Sequence, residues 1–420
     1  MVVLATVMVT AILTSRTPSS AATAGPVVHF HDPAPGATTL AGTGVRGSAG
    51  DGRLAAKAQL DVPTGIAEDG SGDLFIADTG NCRVREVPAR TGTSFGHRVH
   101  AGRIITLAGG RCSGANAYPP PVALAVDTAG DLLIASASGA RVEELSTGTT
   151  TSFGVPVAAG RLVTLAGNGT PGFGGDGGPA RQSMLADPSG IAVDPEGDLL
   201  IADTANCRLR LVAASSGMRY GVAVQRGRIY TVAGTGICGS VGDAGPALSA
   251  QLWDPGALSV DAGGDVLVAD QGNRTIRELA VRSGTYFGVS LAMDDLGTVA
   301  GEGSYGPYLS DGLPAQSQVG ELNFPTGIAL DAHGDLYVAD GAMHAIRMIP
   351  AVTTTLYGQK VEPDDMVMVA GALSTGTLHS VTTWIRARMV DPTGLVVSPG
   401  GRLLYSDAGA DVVRGLRLAG

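Results

Sequence analysis

Six ungapped copies of a 25-residue pattern run through this chain, and they limit its fold more than any other feature. The copies begin at Pro63, Pro121, Pro188, Pro255, Pro325 and Pro392. Successive starts lie 58, 67, 67, 70 and 67 residues apart, so the repeating unit is longer than the pattern itself. A fixed period of this kind is typical of a repeat architecture rather than of several unrelated domains.

Each unit predicts four short strands. The first two are apolar in succession and are separated by a Gly-Asp turn, such as Gly197-Asp198, and the third follows the pattern RLRLV. The predicted fourth strands are Ile104 to Gly109, Leu162 to Gly167, Ile229 to Gly234, Gly297 to Gly301 and Met366 to Gly371. Glycine is 63 of 420 residues, which disfavours helices because an interior glycine costs a helix about 1 kcal/mol relative to alanine. Strands that are apolar on both faces are typical of sheets stacked around an axis, as in a β-propeller.

The count of strands predicts how the ring closes. The sixth unit ends after three strands, and a matching fourth segment, Thr38 to Gly42, precedes the first unit. We therefore expect an all-β, six-bladed propeller of four-stranded blades over residues 38–420, in which the N-terminal strand completes the last blade. Closure of this kind removes the exposed edge of an open array.

The repeated residues carry a resemblance to a known family. The pattern P-x-G-I-A-V-D…G-D-L-[LFY]-[IV]-A-D-T-x-N-x-R-[IVL]-R resembles the NHL repeat, and the chain looks like a six-bladed NHL propeller over residues 38–420. The linker at Ala166 to Ala180 and the hairpin at Ser283 to Ser290 resemble those of secreted bacterial and teneurin-type members. The resemblance implies the fold, whereas function depends on individual sites because one scaffold hosts many activities.

The segment before the repeats predicts export. Val2 to Leu13 form an apolar run, and Ala22-Thr23-Ala24 is a small-x-small cleavage pattern, so residues 1–24 are interpreted as a secretory signal peptide and 25–37 as a linker. An ordinary unstructured N-terminus is the alternative. No later segment has eighteen uninterrupted apolar residues, so we expect a secreted chain without a membrane span. The net charge of −10 argues against nucleic acid as a partner.

The four cysteines predict two local disulfides. Cys82 and Cys207 occupy the same repeat position, and Cys112 and Cys238 each follow a fourth strand. In an up-and-down sheet these two positions lie at the same end, so we expect the pairs Cys82–Cys112 and Cys207–Cys238. Free thiols or a Cys₄ metal site are the alternatives.

Repeated polar residues have an architectural interpretation and a binding one. An aspartate lies at a similar place in four connecting loops, at Asp51, Asp176, Asp243 and Asp311. Such a ring of carboxylates suits Ca²⁺ or a cationic ligand, and the alternative is that each aspartate accepts hydrogen bonds from its own turn. We interpret the aspartates that close the second strands, the asparagines three residues later and the third-strand arginines as architectural. These are Asp78, Asp203, Asp270, Asp340 and Asp407; Asn81, Asn206 and Asn273; and Arg85, Arg210, Arg277, Arg347 and Arg414.

Loops that depart from the repeat are the candidate ligand surface. Tyr118 and Trp253 lie in two connecting loops, and a third, longer loop holds His379, Trp384 and Arg386. Trp, Tyr and Arg are favoured anchors at interfaces. For Tyr118 the alternative is that it replaces the leucine that other units place three residues before the proline.

We predict a secreted, monomeric, non-catalytic propeller that binds an extracellular protein or a cell-wall glycan through the loop face around its central channel, with calcium as the one candidate cofactor. Some NHL propellers are lyases, such as the peptidyl-amidating lyase, which holds a metal with three histidines. No three of the seven histidines here occupy equivalent inner positions, so that triad does not carry over, and no G-x-S-x-G elbow is present. An extracellular lyase or lactonase-like hydrolase with a divalent metal in the axial channel is the alternative function.

Overall fold

Six antiparallel sheets, each built on four main strands, form a closed ring in the computed structural model. The structure describes residues 37–115, 117–301, 313–314, 321–356, 359–363, 365–371 and 389–417. Each sheet is one blade, numbered 1 to 6 in the order of the repeats. The innermost strand of every blade contacts the innermost strands of both neighbouring blades, and blade 6 contacts blade 1. The all-β, six-bladed prediction is confirmed.

Four strands of each blade run from the axis to the rim. The innermost strands of blades 1 to 6 are Pro63–Glu68, Ala123–Val126, Pro188–Val193, Pro255–Val260, Pro325–Leu330 and Pro392–Val397. The second strands are Leu74–Asp78, Leu132–Ser136, Leu199–Asp203, Val266–Asp270, Leu336–Asp340 and Arg402–Asp407. The third strands are Arg83–Val87, Arg141–Leu145, Arg208–Val212, Thr275–Leu279, Ala345–Ile349 and Val412–Arg417. The outermost strands are Ile105–Gly109, Leu162–Ala166, Ile229–Ala233, Asp295–Ala300, Asp365–Gly371 and, in blade 6, Ala37–Ala41.

Short elements connect these strands. Blades 1 to 5 insert a two-stranded hairpin before the outermost strand: Gly92–Ser94 with His97–Val99, Thr150–Ser152 with Val155–Val157, Gly217–Arg219 with Val222–Val224, Gly284–Tyr286 with Val289–Leu291, and Thr354–Leu356 with Gln359–Val361. Single 3₁₀ turns are Ala55–Lys57, Thr79–Asn81, Ala180–Gln182, Thr204–Asn206, Ala247–Ser249, Gln271–Asn273, Gly341–Met343 and Ala408–Ala410. The described residues contain no α-helix, and accordingly none with the length and apolar character needed to cross a membrane.

The N-terminal strand closes the ring as predicted. Ala37–Ala41 pairs antiparallel with the third strand of blade 6, and Thr39 lies opposite Arg414 while Ala41 lies opposite Val413. Leu40, Ala41 and Val413 are buried together in a cluster that also contains residues of blade 1. The ring is thus fastened by one strand from the beginning of the described chain and three from its end.

Hydroxyl groups join neighbouring blades close to the axis. Thr79 donates to the carbonyl of Pro121 over 2.7 Å, and Thr204 and Thr326 make the same 2.7 Å contact with Pro255 and Pro392. These contacts tie blade 1 to 2, blade 3 to 4 and blade 5 to 6. The innermost strands approach so closely that a Cβ at Gly190 would overlap the backbone of the next blade. This close approach explains the glycine in the P-x-G pattern.

In blades 1, 3, 4 and 5, the loop that leads into the blade first covers the outer edge of that blade. Residues 51–55, 176–180 and 243–247 lie against the outermost strands of blades 1, 3 and 4, and we call these segments edge caps. Gly177 N–H donates to the Ile229 carbonyl (2.8 Å), and Ile229 N–H donates to the Gly178 carbonyl (3.1 Å). In blade 5, Leu313–Pro314 pairs with the outermost strand in the same way. An edge cap satisfies backbone groups that an outer strand would otherwise present to solvent.

Candidate functional site

The upper face of the ring, defined here by the turns after the second strands and the loops between blades, holds most of the predicted site residues. In blade 1 the fully buried Arg85 guanidinium lies between two carboxylates. One is Asp78, 3.2 Å away at the end of the second strand, and the other is Asp51, 2.6 Å away at the start of the edge cap. Asp51 also accepts a 2.9 Å hydrogen bond from Thr106 of the outermost strand. The arginine thus joins the strand, the cap and the rim of one blade.

The same network recurs in blades 3 and 4. Arg210 contacts Asp203 at 3.0 Å and Asp176 at 2.6 Å, and Thr231 donates to Asp176 over 2.7 Å. In blade 4 the corresponding residues are Arg277, Asp270, Asp243 and Thr298, with Arg277 to Asp243 at 3.0 Å and to Asp270 at 3.7 Å. We predicted an architectural role for these arginines, and in blades 1, 3 and 4 their acidic partners lie within one blade and its edge cap.

At the aspartates that end the second strands, burial and hydrogen bonding shift the pKa in opposite directions. Desolvation raises the pKa of Asp78 and Asp203 above the usual range, although backbone N–H groups, an asparagine and the arginine all favour the charged form. Burial raises the pKa of Asp270 to about 6 against the same kinds of contact. Because each aspartate has several donors, these carboxylates are held as acceptors inside the blade.

The asparagines after the second strands brace the adjoining loops. The Asn206 side chain donates to Asp203 over 2.8 Å and to the Gly172 carbonyl over 2.9 Å. Asn81 and Asn273 make equivalent contacts with Asp78 and Gly47 and with Asp270 and Gly239. Each asparagine therefore links the turn of its blade to the loop that leads into that blade, which agrees with the architectural interpretation.

The calcium hypothesis rests on carboxylates that lie in separate blades. Asp51, Asp176 and Asp243 keep 50%, 40% and 49% of their side-chain surface exposed while they hold an arginine and a threonine each. Asp311 lies outside the described residues. Among the described residues no group of three His, Cys, Asp or Glu side chains is placed to hold a metal ion. Calcium at these aspartates stays a prediction.

Both predicted disulfides are present. Cys82 pairs with Cys112 and Cys207 pairs with Cys238, each with a Cα–Cα distance of 5.3 Å, and the described residues include no free cysteine. Disulfides of this kind are typical of proteins outside the reducing cytosol. Each bond fastens a connecting loop to the blade that it leaves, and each of these loops supplies an aromatic candidate residue to the next blade.

Trp253 lies on the wall of a cavity of about 450 Å³ in the upper rim of blade 4. The indole packs over Gly272, where a Cβ would overlap the ring, and 49% of the residue is exposed. Its backbone is fixed because Trp253 N–H donates to Asp270 over 2.7 Å and its carbonyl accepts from Gly272 over 2.8 Å. The other walls carry Asp243, Asn273, Thr275, Arg277 and Thr298. The structure therefore joins two residues that we predicted for different roles, Trp253 and Asp243, in one cavity.

Tyr118 takes a packing position in blade 2. Its ring lies against Gly109, and its buried hydroxyl lies beside Glu143. Burial, and next the charge of Glu143, raise the pKa of Tyr118 above the usual range. His379, Trp384 and Arg386 lie outside the described residues, so the ligand-surface role predicted for them stays a prediction.

The axial channel is narrow and neutral along its described lining. It has a volume of about 110 Å³ and is lined by innermost-strand residues, including Thr64, Ser189, Thr326 and Thr393, together with glycine and aliphatic side chains. The threonine hydroxyls of this lining point toward the carbonyls of the next blade, as Thr64 does toward Val122 over 2.9 Å. These hydroxyls act in blade-to-blade contact.

Sequence reasoning missed three buried glutamates on the third strands. Glu86, Glu144 and Glu278 occupy the same repeat position, and blade 3 places Leu211 there. Burial raises the pKa of Glu86 and Glu144 to about 7 and that of Glu278 to about 9. The signal was available, because a glutamate recurs 23 residues after three of the prolines within an apolar strand.

Comparisons with known proteins agree with this fold. The family model of the NHL repeat matches residues 185–210 and 322–347, which lie in blades 3 and 5 and confirm the resemblance there. No curated protein matches the sequence. Among solved structures, a protein of unknown function from Bacteroides thetaiotaomicron VPI-5482 is similar over 92% of this chain and 76% of that chain, with 14% identity and a TM-score of 0.56.

Two further solved structures are auxiliary nutrient binding proteins. The protein from Bacteroides thetaiotaomicron VPI-5482 covers 90% of this chain and 75% of its own, with 12% identity and a TM-score of 0.56. The protein from Bacteroides ovatus ATCC 8483 covers 92% and 77%, with 12% identity and a TM-score of 0.54. At this level of identity the likeness shows the propeller fold alone.

Proposed function

We propose that this chain is a secreted, non-catalytic binding module that holds its ligand at the upper face, in the cavity beside Trp253. The observation that carries the proposal is the indole itself. A half-exposed tryptophan is held by two backbone hydrogen bonds and faces a cavity whose other walls are polar. An apolar surface with a few placed polar groups is the usual composition of a small-molecule site.

The chemistry of the walls favours a sugar-containing ligand such as a cell-wall glycan. The flat face of a sugar ring packs on an indole, and its hydroxyls pair with carboxylate and amide groups. Asp243 offers such a carboxylate: its Oδ1 atom accepts from Arg277 and Thr298, and 49% of the side chain is still exposed. The buried arginine fixes this carboxylate, so little conformational entropy is lost when a ligand hydroxyl binds it.

Two other findings support a binding role outside the cell. The disulfide Cys207–Cys238 fastens the loop that later supplies Asp243 and Trp253, which pre-organises the cavity. The similar auxiliary nutrient binding proteins bind ligands by their titles, and they share the propeller fold. The alternative, a lyase or lactonase with a metal in the axial channel, gains no support from the neutral lining described for that channel.

The test uses tryptophan fluorescence. The chain has two tryptophans, so a Trp384→Phe background leaves Trp253 as the single reporter. We expect a solubilised peptidoglycan digest and N-acetylglucosamine oligosaccharides to be the informative probes, with quenching that saturates for one of them. In Trp253→Ala, affinity measured by calorimetry falls at least tenfold, because truncation of an aromatic residue that anchors a ligand costs about 2 kcal/mol or more.

A matched control is Met218→Ala, which removes an exposed apolar side chain from the hairpin of blade 3. It leaves affinity unchanged if binding occurs beside Trp253. Equal affinity of Trp253→Ala and the unmodified chain, or absence of binding to both probes, would refute the proposed function.

A further inference from the structure

Within the residues that the structure describes, the outermost strand of blade 2 has no edge cap. Blades 1, 3, 4 and 5 each hold a segment of their own chain against the outer strand, whereas the described residues place none against Leu162–Ala166. The sequence agrees, because the repeat that leads into blade 2 is 58 residues long and the following two are 67. The missing length falls in the connecting loop, where the cap of the other blades is found.

Leu162 marks the open position most clearly. It occupies the place of Ile104, Ile229 and Leu296, whose backbone groups bond the edge caps of blades 1, 3 and 4. Those three residues are fully buried, whereas Leu162 is partly exposed. No edge-cap hydrogen bond to the Leu162 backbone is found within the described part of the chain. Its outward N–H and C=O groups are therefore a template for another strand.

A cleft of about 580 Å³ lies alongside this edge, between blades 2 and 3. Phe153, Val155 and Leu165 of blade 2 supply its apolar wall. Arg181, Arg226 and Arg228 of blade 3 supply the opposite side, and all three are exposed. An open strand edge thus lies beside an apolar surface and three positive charges.

Two of these arginines are held by backbone carbonyls. Arg226 reaches across to the Thr151 carbonyl of blade 2 (3.2 Å), and Arg228 donates to the Gly177 carbonyl (2.5 Å). None of the three forms a salt bridge with a carboxylate among the described residues, in a chain of net charge −10. At the next blade junction the residues in the places of Arg226 and Arg228 are Met293 and Asp295, so that junction lacks these two positive charges.

We propose that an extended, acidic segment of a partner protein adds to blade 2 as a fifth strand beside Leu162–Ala166. Its backbone pairs with the open edge, its apolar side chains enter the cleft over Phe153 and Leu165, and its carboxylates meet Arg181, Arg226 and Arg228. Strand addition obtains affinity from main-chain hydrogen bonds and specificity from such side-chain contacts. A second copy of the chain is disfavoured, because edge-to-edge pairing would bring two sets of unpaired arginines together.

The decisive variant is Leu162→Pro. Proline removes the outward N–H that a partner strand needs, and edge positions with a solvent-facing N–H tolerate proline. The matched control is Ile229→Pro, which removes the same N–H in blade 3, where the edge cap already uses it. The probe is a phage-displayed library of random 12-residue peptides, selected on the intact chain.

We expect selected peptides to alternate acidic with apolar residues and to bind Leu162→Pro at least tenfold more weakly, at unchanged circular dichroism. The exposed double variant Arg226→Glu with Arg228→Glu, which leaves the sheet edge intact, should weaken them by a similar factor. Selected peptides that bind Leu162→Pro as they bind the original chain, or that lack acidic residues, would overturn the proposal, as would a selection that enriches no peptide. Self-association that Leu162→Pro abolishes would identify a second copy as the occupant instead.

Discussion

Blades 2 and 3 have the same strand pattern, but the contacts that hold their outer edges differ. In blade 3, Arg210 joins Asp203 at the end of the second strand to Asp176 in the edge cap. Blade 2 has Ser136 in place of the first aspartate and Glu143 in place of the arginine, and no cap lies against it among the described residues. Its Glu143 pairs instead with Arg141 of the same strand at 3.1 Å.

The difference shows what the arginine network is for. The second-strand aspartate, the third-strand arginine and the cap aspartate occur together in blades 1, 3 and 4, and the described part of blade 2 has none of the three. In blades 1, 3 and 4 the cap aspartate gives the buried guanidinium a second carboxylate, so a variant without the arginine leaves both carboxylates without their cation. The network therefore fastens the cap to the blade.

The largest expected effect comes from Arg210→Met in blade 3. The change leaves Asp203 buried without its cation and releases Asp176 from the rim, so we expect a loss of about 3–5 kcal/mol in unfolding free energy. Glu143→Gln, at the same position of blade 2, should cost far less because no cap depends on it. Urea unfolding at pH 7 followed by circular dichroism measures both. A cost below about 1 kcal/mol for Arg210→Met would show that the network does not fasten the cap.

Periodicity was enough to predict the ring. The blade count follows from six aligned prolines and the Gly-Asp turns, and the closure follows from the unpaired Thr38 to Gly42 segment. Each of these is a local pattern that can be recognised without knowing the fold. The disulfides followed from the same reasoning, since Cys82 and Cys112 had to lie at one end of an up-and-down sheet. A repeat pattern thus predicts the structural features that all units share.

Contacts across a loop were harder to foresee. The pairing of Arg210 with Asp176 spans 34 residues and depends on the path of the edge cap, which no local pattern encodes. The joining of Trp253 with Asp243 in one cavity depends on the same path. The sequence does show that the repeat before blade 2 is shorter than the others. This shortening indicates a missing edge cap only because the loops of the other blades form caps.

The next largest effect on stability concerns the turn after the second strand, which differs between blades 2 and 3. Cys207 closes the turn of blade 3 in a left-handed conformation (φ 52°), and blade 2 has Ala140 there with φ 47°. Alanine is thus a natural substitute, and Cys207→Ala with Cys238→Ala removes a bond that closes a 31-residue separation. We expect a loss of about 4 kcal/mol in the chain-entropy view. Thermal unfolding under oxidising and reducing conditions checks it, since the variant should no longer respond to the reductant at this bond.

Blades 2 and 3 should also differ in how their contribution to stability depends on pH, because blade 2 has a buried glutamate. Burial, and next the charges of Asp131 and Asp127, raise the pKa of Glu144 to about 7 from 4.5, whereas blade 3 has Leu211 at this place. The folded state therefore favours the protonated acid. Its contribution to stability is fully present below pH 4.5 and is lost as the pH rises through 7.

Glu144→Gln should remove this loss. Relative to the original chain, we expect the variant to gain on the order of 2 kcal/mol at pH 8 and nothing at pH 4.5. Urea unfolding at both values measures the difference between the two chains, so the slopes that Glu86 and Glu278 contribute cancel. A variant that is equally destabilised at both pH values would indicate a packing role for Glu144 without a change in protonation.

The smallest effect isolates a single hydrogen bond of the edge cap. Thr231 of blade 3 donates to Asp176 over 2.7 Å, and Thr164 occupies the same place in blade 2, where the described part of the chain places no cap aspartate. Thr231→Val should cost about 1 kcal/mol, because a charge-assisted bond is lost from a group that Arg210 still holds. Thr164→Val should be nearly neutral in the unbound chain. Hydrogen exchange adds a second readout: the Ile229 amide, which donates to the cap, should exchange faster in Thr231→Val, while the Leu162 amide already exchanges fast and does not change. Equal costs for the two valine variants would mean that the threonines stabilise their strands by β-propensity alone, and the contrast between a capped and an uncapped blade would then rest on the arginine.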